Sequence, residues 1–196
     1  MQAIIVYAHP NNKTSFNAEI LKTTKETFQQ KGKTSELIDL NQEQFNPILN
    51  QEELSLYDQG AFVEESVRQY QTIIQNSDEI VLIFPIWWYG LPTILKGFFE
   101  KVFLPGFAFE FGEEGSERLV PLLTIQKTTV ITTSEAKTTE LRQKYGNPIE
   151  GTLINGTFEE VGLLNGHWLN CDETPTGTEE RRRSFLREIH TYLLST

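Results

Sequence analysis

With 196 residues, 38% of them hydrophobic and 22% charged, the chain is long enough to bury one full core and has the balance of an ordinary globular domain. Its formal net charge of -10 argues against nucleic acid or an anionic membrane surface as the main partner, since both are held chiefly through Lys and Arg. One cysteine, Cys171, excludes an internal disulfide and any multi-cysteine metal site, and no apolar run approaches the ~18 residues of a membrane span.

The expectation is a single domain over residues 1–196, without membrane insertion. Residues 3–8, AIIVYA, form a near-continuous apolar run, as expected of a strand covered on both faces. The run starts so close to Met1 that no secretory signal fits before it, and with the lone thiol this points to the cytoplasm. The turn residues His9-Pro10-Asn11-Asn12 follow. Thr14 and Ser15 are then candidate N-caps for a helix carrying Ile20, Leu21, Thr24 and Phe28 at helical spacing, which Gly32 ends.

Residues 35–40, SELIDL, read as a second strand and residues 41–59 as irregular. Val63, Val67, Tyr70 and Ile74, at spacings of four, three and four, mark a crossover helix. Residues 79–84, EIVLIF, are a third buried strand. Pro92 suits the first turn of a helix whose apolar face is Leu95, Phe98, Phe99 and Val102.

Between that strand and helix stand three consecutive rings, Trp87, Trp88 and Tyr89, bracketed by Pro85 and Gly90. Side chains bound for one core recur with the period of their element, so these three cannot all face it. Residues 107–111, FAFEF, alternate cleanly and suggest a small surface strand.

Residues 128–133 read as a fourth strand followed by a polar loop, and Pro148 as the opening of a helix with Leu153, Phe158 and Val161 inward. A fifth strand lies within 163–171, and Thr178 precedes a last amphipathic helix carrying Phe185, Leu186, Ile189, Tyr192 and Leu193. Strands alternating with helices predict an α/β three-layer sandwich: a five-stranded parallel sheet in the flavodoxin-like order 2-1-3-4-5.

Such folds bind ligands beyond the carboxyl ends of the strands, where the strand order reverses. Three loops then matter: residues 9–17, 84–90 and 132–146. The first feeds a helix N-terminus, where unpaired N–H groups favour a phosphate without a basic patch, though Thr14 and Ser15 equally serve as plain caps. His9 has the same two readings. The rings of the second loop suit a planar heteroaromatic ligand, or else a cover on the core or a subunit contact. In the third, Thr132 and Thr133 reach a ligand edge or simply end a strand. Arg181-Arg182-Arg183 are either a solvated helix face balanced by Glu179, Glu180 and Glu188, or a small anion site.

Taken together, His9-Pro10 with Thr14-Ser15-Phe16-Asn17, then Phe84-Pro85-Ile86-Trp87-Trp88-Tyr89-Gly90-Leu91-Pro92 running on to Phe103, resemble the NAD(P)H:quinone oxidoreductases of flavodoxin-like fold. The resemblance covers most of residues 1–135. It implies a flavoenzyme in which His9, Thr14, Ser15, Phe16 and Asn17 hold the flavin phosphate and Pro85, Ile86, Trp87, Trp88, Tyr89 and Gly90 lie along the isoalloxazine. Thr132, Thr133, Ser134 and Glu135 would form the third flavin loop.

The same resemblance implies a homodimer with the active site at the interface, and ping-pong hydride transfer from NAD(P)H to a quinone or similar aromatic through flavin N5. Tyr145 is the counterpart of a loop tyrosine that assists reduction. Two features depart from the family: Ser134-Glu135 replace a usual pair of glycines, and no histidine follows Tyr145 at the usual distance. FAD is favoured over FMN by the resemblance of the first loop and the long aromatic block to the FAD-binding quinone reductases, and by Arg181 to Arg183, which would meet a pyrophosphate or adenine. The alternative function is an ancillary flavoprotein subunit of a potassium-efflux transporter.

Overall fold

The computed structural model describes residues 2–112 and 119–196. Five parallel strands form the central sheet: β1 (Gln2–Tyr7), β2 (Thr34–Asp39), β3 (Glu79–Pro85), β6 (Lys127–Thr133) and β7 (Gly166–Cys171), in the order β2-β1-β3-β6-β7. Counted within this sheet alone, that is the expected 2-1-3-4-5. Two short strands, β4 (Phe109–Phe111) and β5 (Leu119–Pro121), pair antiparallel as a separate ribbon.

The apolar strands alternate between two cores, which is why they read as continuous hydrophobic runs. Ile4 and Val6 of β1 join Ile80, Leu82 and Phe84 of β3 on one face, while Ala3, Ile5 and Tyr7 join Val81 and Ile83 on the other. The first face is covered by α3 (Glu65–Gln75) and α4 (Thr93–Val102), which bury Val67, Tyr70 and Ile74 and Leu95, Phe98, Phe99 and Val102. The second is covered by α1 (Phe16–Gln30) and α7 (Glu179–Ser195), through Ile20, Leu21 and Phe28 and through Phe185, Ile189 and Leu193. Ser15 and Thr178 cap these two helices, each accepting a backbone N–H with its side chain.

Several elements differ from the sequence expectation. The stretch taken as irregular contains α2 (Gln51–Leu56), opened by a reciprocal cap between Asn50 and Glu53. Its buried contribution is Glu53, not an apolar residue, so hydrophobic periodicity carried no signal. Val63 lies before α3 and is exposed. Pro92 precedes the first turn of α4 as its N-cap.

The polar loop after β6 holds α5 (Thr138–Gln143), whose one buried side chain is Leu141. The helix expected from Pro148 winds as a wider π-helical segment, Pro148–Phe158, continued by α6 (Glu159–Val161). Leu153, Phe158 and Val161 are buried as expected.

Loop 41–50 is clamped onto α4 by two contacts. A Cβ on Gly97 would lie 2.2 Å from the Pro47 carbonyl oxygen, so only glycine permits the approach. Beside it, the buried Lys101 ammonium is paired with Glu53 at 2.9 Å and Glu64 at 2.7 Å and donates to the Asn46 carbonyl at 3.0 Å. Phe98 is the hub of the aromatic packing here, with ring centroids 5.4 Å from Tyr70 and 5.8 Å from Phe45. Phe98→Ala is expected to destabilise the fold by about 3–5 kcal/mol in chemical denaturation, as for other buried aromatic deletions, with Trp87→Ala on the surface costing under about 1 kcal/mol.

Candidate active site

The carboxyl ends of β1, β3 and β6 meet at one rim. The register sets Pro85 opposite Thr133, and Thr133 opposite Cys171. Beyond that rim lies a cleft of ≈ 980 Å³. Of the residues singled out in the sequence, His9, Ser15, Phe16, Asn17, Pro85, Ile86, Trp87, Trp88, Tyr89, Thr133, Ser134, Glu135 and Tyr145 line it.

Thr14, Gly90 and Thr132 do not line the cleft, for local reasons. The Thr14 hydroxyl accepts from Asn11 Nδ2 at 2.8 Å and shapes the first loop. Gly90 closes the turn of the second. Thr132 alternates to the covered face of β6, where its hydroxyl accepts from Trp168 Nε1 at 2.7 Å and donates to Asn170 Oδ1 at 2.7 Å.

The first loop is organised by Asn11, whose Oδ1 accepts the Lys13 and Thr14 N–H groups at 3.2 and 3.0 Å. The Asn11 N–H and carbonyl lie 3.0 and 3.1 Å from His9 Nδ1, so Asn11 holds this ring nitrogen in either tautomer of the neutral form. Burial holds the His9 pKa below its ordinary value, in keeping with that form.

At the start of α1 the N–H groups of Phe16 and Asn17 have no partner among the described residues, as helix geometry dictates for a first turn. Asn17 is 4% exposed, and its Nδ2 donates to Thr133 Oγ1 at 2.9 Å. Its Oδ1 is buried with no partner among the described residues. A buried amide oxygen left alone is costly, and this one belongs to a side chain of the cleft wall.

The second loop is a tight turn closed in both directions: the Trp87 N–H donates to the Gly90 carbonyl at 3.1 Å, and the Gly90 N–H returns to Trp87 at 3.0 Å. Trp88 and Tyr89 take φ values of 50° and 62°, a left-handed pair rarely adopted by bulky residues. The strain leaves the Trp88 and Tyr89 N–H groups without partners among the described residues, and leaves Trp88 96% exposed. Tyr89 stacks on Tyr145 with centroids 4.0 Å apart and planes at 23°. The Lys144 ammonium first, and then the Tyr89 hydroxyl, hold the Tyr145 phenol below its ordinary value of 10.

In the third loop Ser134 is turned inward. Its hydroxyl donates to the Ala136 carbonyl at 2.7 Å and accepts from Asn170 Nδ2 at 2.9 Å, its N–H reaches the Cys171 carbonyl at 3.0 Å, and its own carbonyl accepts the Thr174 N–H at 2.9 Å. The hydroxyl expected to meet a ligand is thus committed to the protein.

The cleft is completed by Ala136, Glu140, Leu141, Thr174 and Pro175, which sequence reasoning missed. The first three sit on or before the unforeseen α5. Thr174 and Pro175 belong to the loop after β7, and that loop is where Arg181 and Arg182 are engaged. Arg181 pairs with Asp172 and Glu173, while Arg182 Nη1 donates to the Thr174 and Gly177 carbonyls at 3.2 and 2.9 Å. Arg183 pairs with Glu179 along the helix. Neither the open anion site nor a simple solvated face describes this cluster: two of its arginines fasten the cleft wall.

A family model described as Flavodoxin-like fold, Flavodoxin_2, matches residues 1–193. An NAD(P)H oxidoreductase of Haemophilus influenzae is 33% identical over 165 residues, 84% of this chain and 80% of that protein. This chain belongs to the Flavodoxin_2 family, that of the NAD(P)H:quinone oxidoreductases. It is an oxidoreductase.

Within the family, NAD(P)H dehydrogenase [quinone] 1 of Cavia porcellus is 33% identical over 130 residues, a match that spans 56% of this chain and about half, 46%, of that protein's length. The structure of an NAD(P)H:quinone oxidoreductase from Methanothermobacter marburgensis shares the fold with a TM-score of 0.88 at 24% identity, covering 100% of this chain and 96% of that one.

Asn170 joins the parts of the third loop: beyond Thr132 and Ser134, its Nδ2 donates to Thr138 Oγ1 at 2.9 Å, and the Thr138 hydroxyl continues to Asp172 at 2.9 Å. Asn170→Ala strands these hydroxyls together, and is expected to cost about 1–3 kcal/mol of stability and to lower the melting temperature measured by circular dichroism.

Proposed function

We propose that this chain binds a flavin in the cleft and uses it to reduce quinones or similar electron-poor aromatics at the expense of NAD(P)H. The observation that carries the reading is the unpartnered, buried Asn17 Oδ1 at the mouth of α1, in a cleft otherwise supplied with backbone donors. A polyhydroxylated phosphate ester fits both needs: a hydroxyl donates to the orphan oxygen, and the phosphate takes the free N–H groups of the helix start.

When bound, the flavin supplies the hydride chemistry, with N5 accepting from NAD(P)H and donating to the acceptor in a ping-pong cycle. The chain's own residues bind and orient. Ser15, Phe16, Asn17 and His9 would hold the phosphate and sugar end. Pro85 to Tyr89 lie along the ring, with the Trp88 and Tyr89 N–H groups as donors to its polar edge, and Thr133 to Glu135 close the other side.

FMN is the cofactor this cleft supports better than FAD. The case for FAD drew on the first loop, the long aromatic block and Arg181 to Arg183 reaching a pyrophosphate or adenine, and of these the last is weakened, since Arg181 and Arg182 are spent on Asp172, Glu173 and loop carbonyls. A homodimer in the cytoplasm completes the proposal: Trp88, nearly bare at the cleft edge, is the kind of ring a second subunit covers, and the lone cysteine is free and buried. No helix among the described residues is long and apolar enough to cross a membrane. The cleft lends no support to an ancillary transporter subunit.

Identification of the cofactor released from purified protein tests the reading directly, with FMN the expected result; a chain that stays colourless after incubation with both flavins overturns it. Trp87→Ala and Trp88→Ala are expected to weaken flavin binding at least severalfold in a fluorescence titration, by loss of stacking area and of the turn that presents the donors.

Tyr145 is the proposed proton donor to the reduced acceptor. A phenol donates only while protonated, so activity should fall as pH rises through its pKa, and the lowered pKa puts that limb below pH 10. In steady-state pH profiles Tyr145→Phe should remove the limb, and Lys144→Gln should move it upward.

A further inference from the structure

The charges around the cleft do not cancel evenly. Glu135 and Glu140 line it, and no Lys or Arg does. Burial lowers the pKa of its single histidine, His9, which favours the neutral ring. Behind the wall the acidic groups are answered: Asp172 and Glu173 by Arg181, and Glu173 also by Lys137 at 3.9 Å. Glu140 accepts the Lys137 N–H at 3.4 Å as it caps α5. Lys144, which is not among the lining residues, has its Nζ 5.0 Å from the Tyr145 ring centroid. Glu135 is exposed and has neither an ion pair nor a hydrogen bond among the described residues.

Its position is nevertheless fixed. The residue before it, Ser134, is pinned through its N–H, carbonyl and hydroxyl, and that hydroxyl bonds across Glu135 to the Ala136 carbonyl. A carboxylate is thus anchored by its backbone in the wall of a ligand-sized cleft, the one in which the unpartnered Asn17 Oδ1 marks the flavin end.

We propose that Glu135 makes the cleft discriminate acceptors by charge, favouring neutral or cationic electron-poor aromatics over those bearing a sulfonate or carboxylate. This rests on the cleft being the acceptor site, as proposed above. Any guest shares with the carboxylate a single cleft whose lining also includes Trp87, Tyr89 and Tyr145. Two unit charges about 4 Å apart in water interact by about 1 kcal/mol, a roughly fivefold shift in binding, and dissolved salt weakens the effect.

Binding provides the test, because it needs no turnover. Quenching of tryptophan fluorescence by menadione and by a naphthoquinone sulfonate, in flavin-loaded protein without NAD(P)H, gives the ratio of their dissociation constants. The wild-type ratio should favour menadione and approach unity as salt is raised. Glu135→Gln should shift it about fivefold towards the sulfonate, and Glu135→Asp, which keeps the charge, should shift it little.

A wild-type ratio indifferent to salt, or a Glu135→Gln ratio equal to the wild type, overturns the proposal. The ratio of kcat/KM for the same two acceptors should follow the binding ratio. Charge-selective binding with no turnover of either quinone counts against the oxidoreductase reading of the cleft, while supporting the role of Glu135.

Discussion

Parallel strands cannot be joined by hairpins, and each return in this chain passes over a face of the sheet, so both faces of β1, β3 and β6 are sealed by helices. That constraint determines where polar chemistry can be placed. Side chains along the strands are committed to two cores, and the strand termini remain as the positions that present backbone and short polar groups to solvent. The reversal of strand order between β1 and β3 opens a crevice at those termini, and the site follows from it. The sealed sheet also fixes the relative heights of Pro85, Thr133 and Cys171, so the three loops leave from one level.

The rim is then held by hydrogen bonds that cross between elements distant in sequence. Asn17 ties the start of α1 to the end of β6, Asn170 ties β7 to the third loop and α5, and Arg182 ties α7 to the loop after β7. These residues point inward to hold the wall, while the atoms left free are main-chain N–H groups and one amide oxygen. An acidic protein can in this way receive a phosphate: the positive end of a helix and oriented peptide dipoles do the work that a cluster of basic side chains does elsewhere. The same economy leaves Glu135 uncompensated.

What was legible in the sequence is what hydrophobic spacing encodes. β1, β3, β6, β7, α1, α3, α4 and α7 each bury two or more apolar residues, the edge strand β2 shows itself by Leu37, Ile38 and the following Leu40, and their order gives the topology. The elements that were missed lack that signal. α2 buries a glutamate and α5 a single leucine, and β5 is three residues long. The site was legible in its loops and less so in its side chains. Thr14, Thr132 and Ser134 stand where a ligand reader would look, yet the first shapes a loop, the second serves the core and the third turns back on Ala136. A hydroxyl on a strand end has two faces to choose from, and the choice depends on partners such as Trp168 and Asn170, which lie more than thirty positions away.

The turn at Trp88 and Tyr89 shows how local preference yields to the requirements of the site. Two successive left-handed residues in a two-residue turn are the ordinary place for Asn-Gly or Gly-Gly, and bulky rings there cost about 1–3 kcal/mol each. The turn persists because its ends are fixed: Ile86 donates to the Thr133 carbonyl at 2.8 Å, Trp87 and Gly90 bond in both directions, and α4 starts within three residues. Glycines would relieve the strain and keep the two free N–H groups, so donor supply alone does not explain the rings. What glycine would lose is flat surface at the cleft: the Trp88 ring in its lining, and Tyr89 stacked on Tyr145. The three consecutive aromatics that periodicity could not place in a core are thus held away from it at a measurable conformational cost, and that cost is understandable only if an aromatic surface at this rim has a partner to meet.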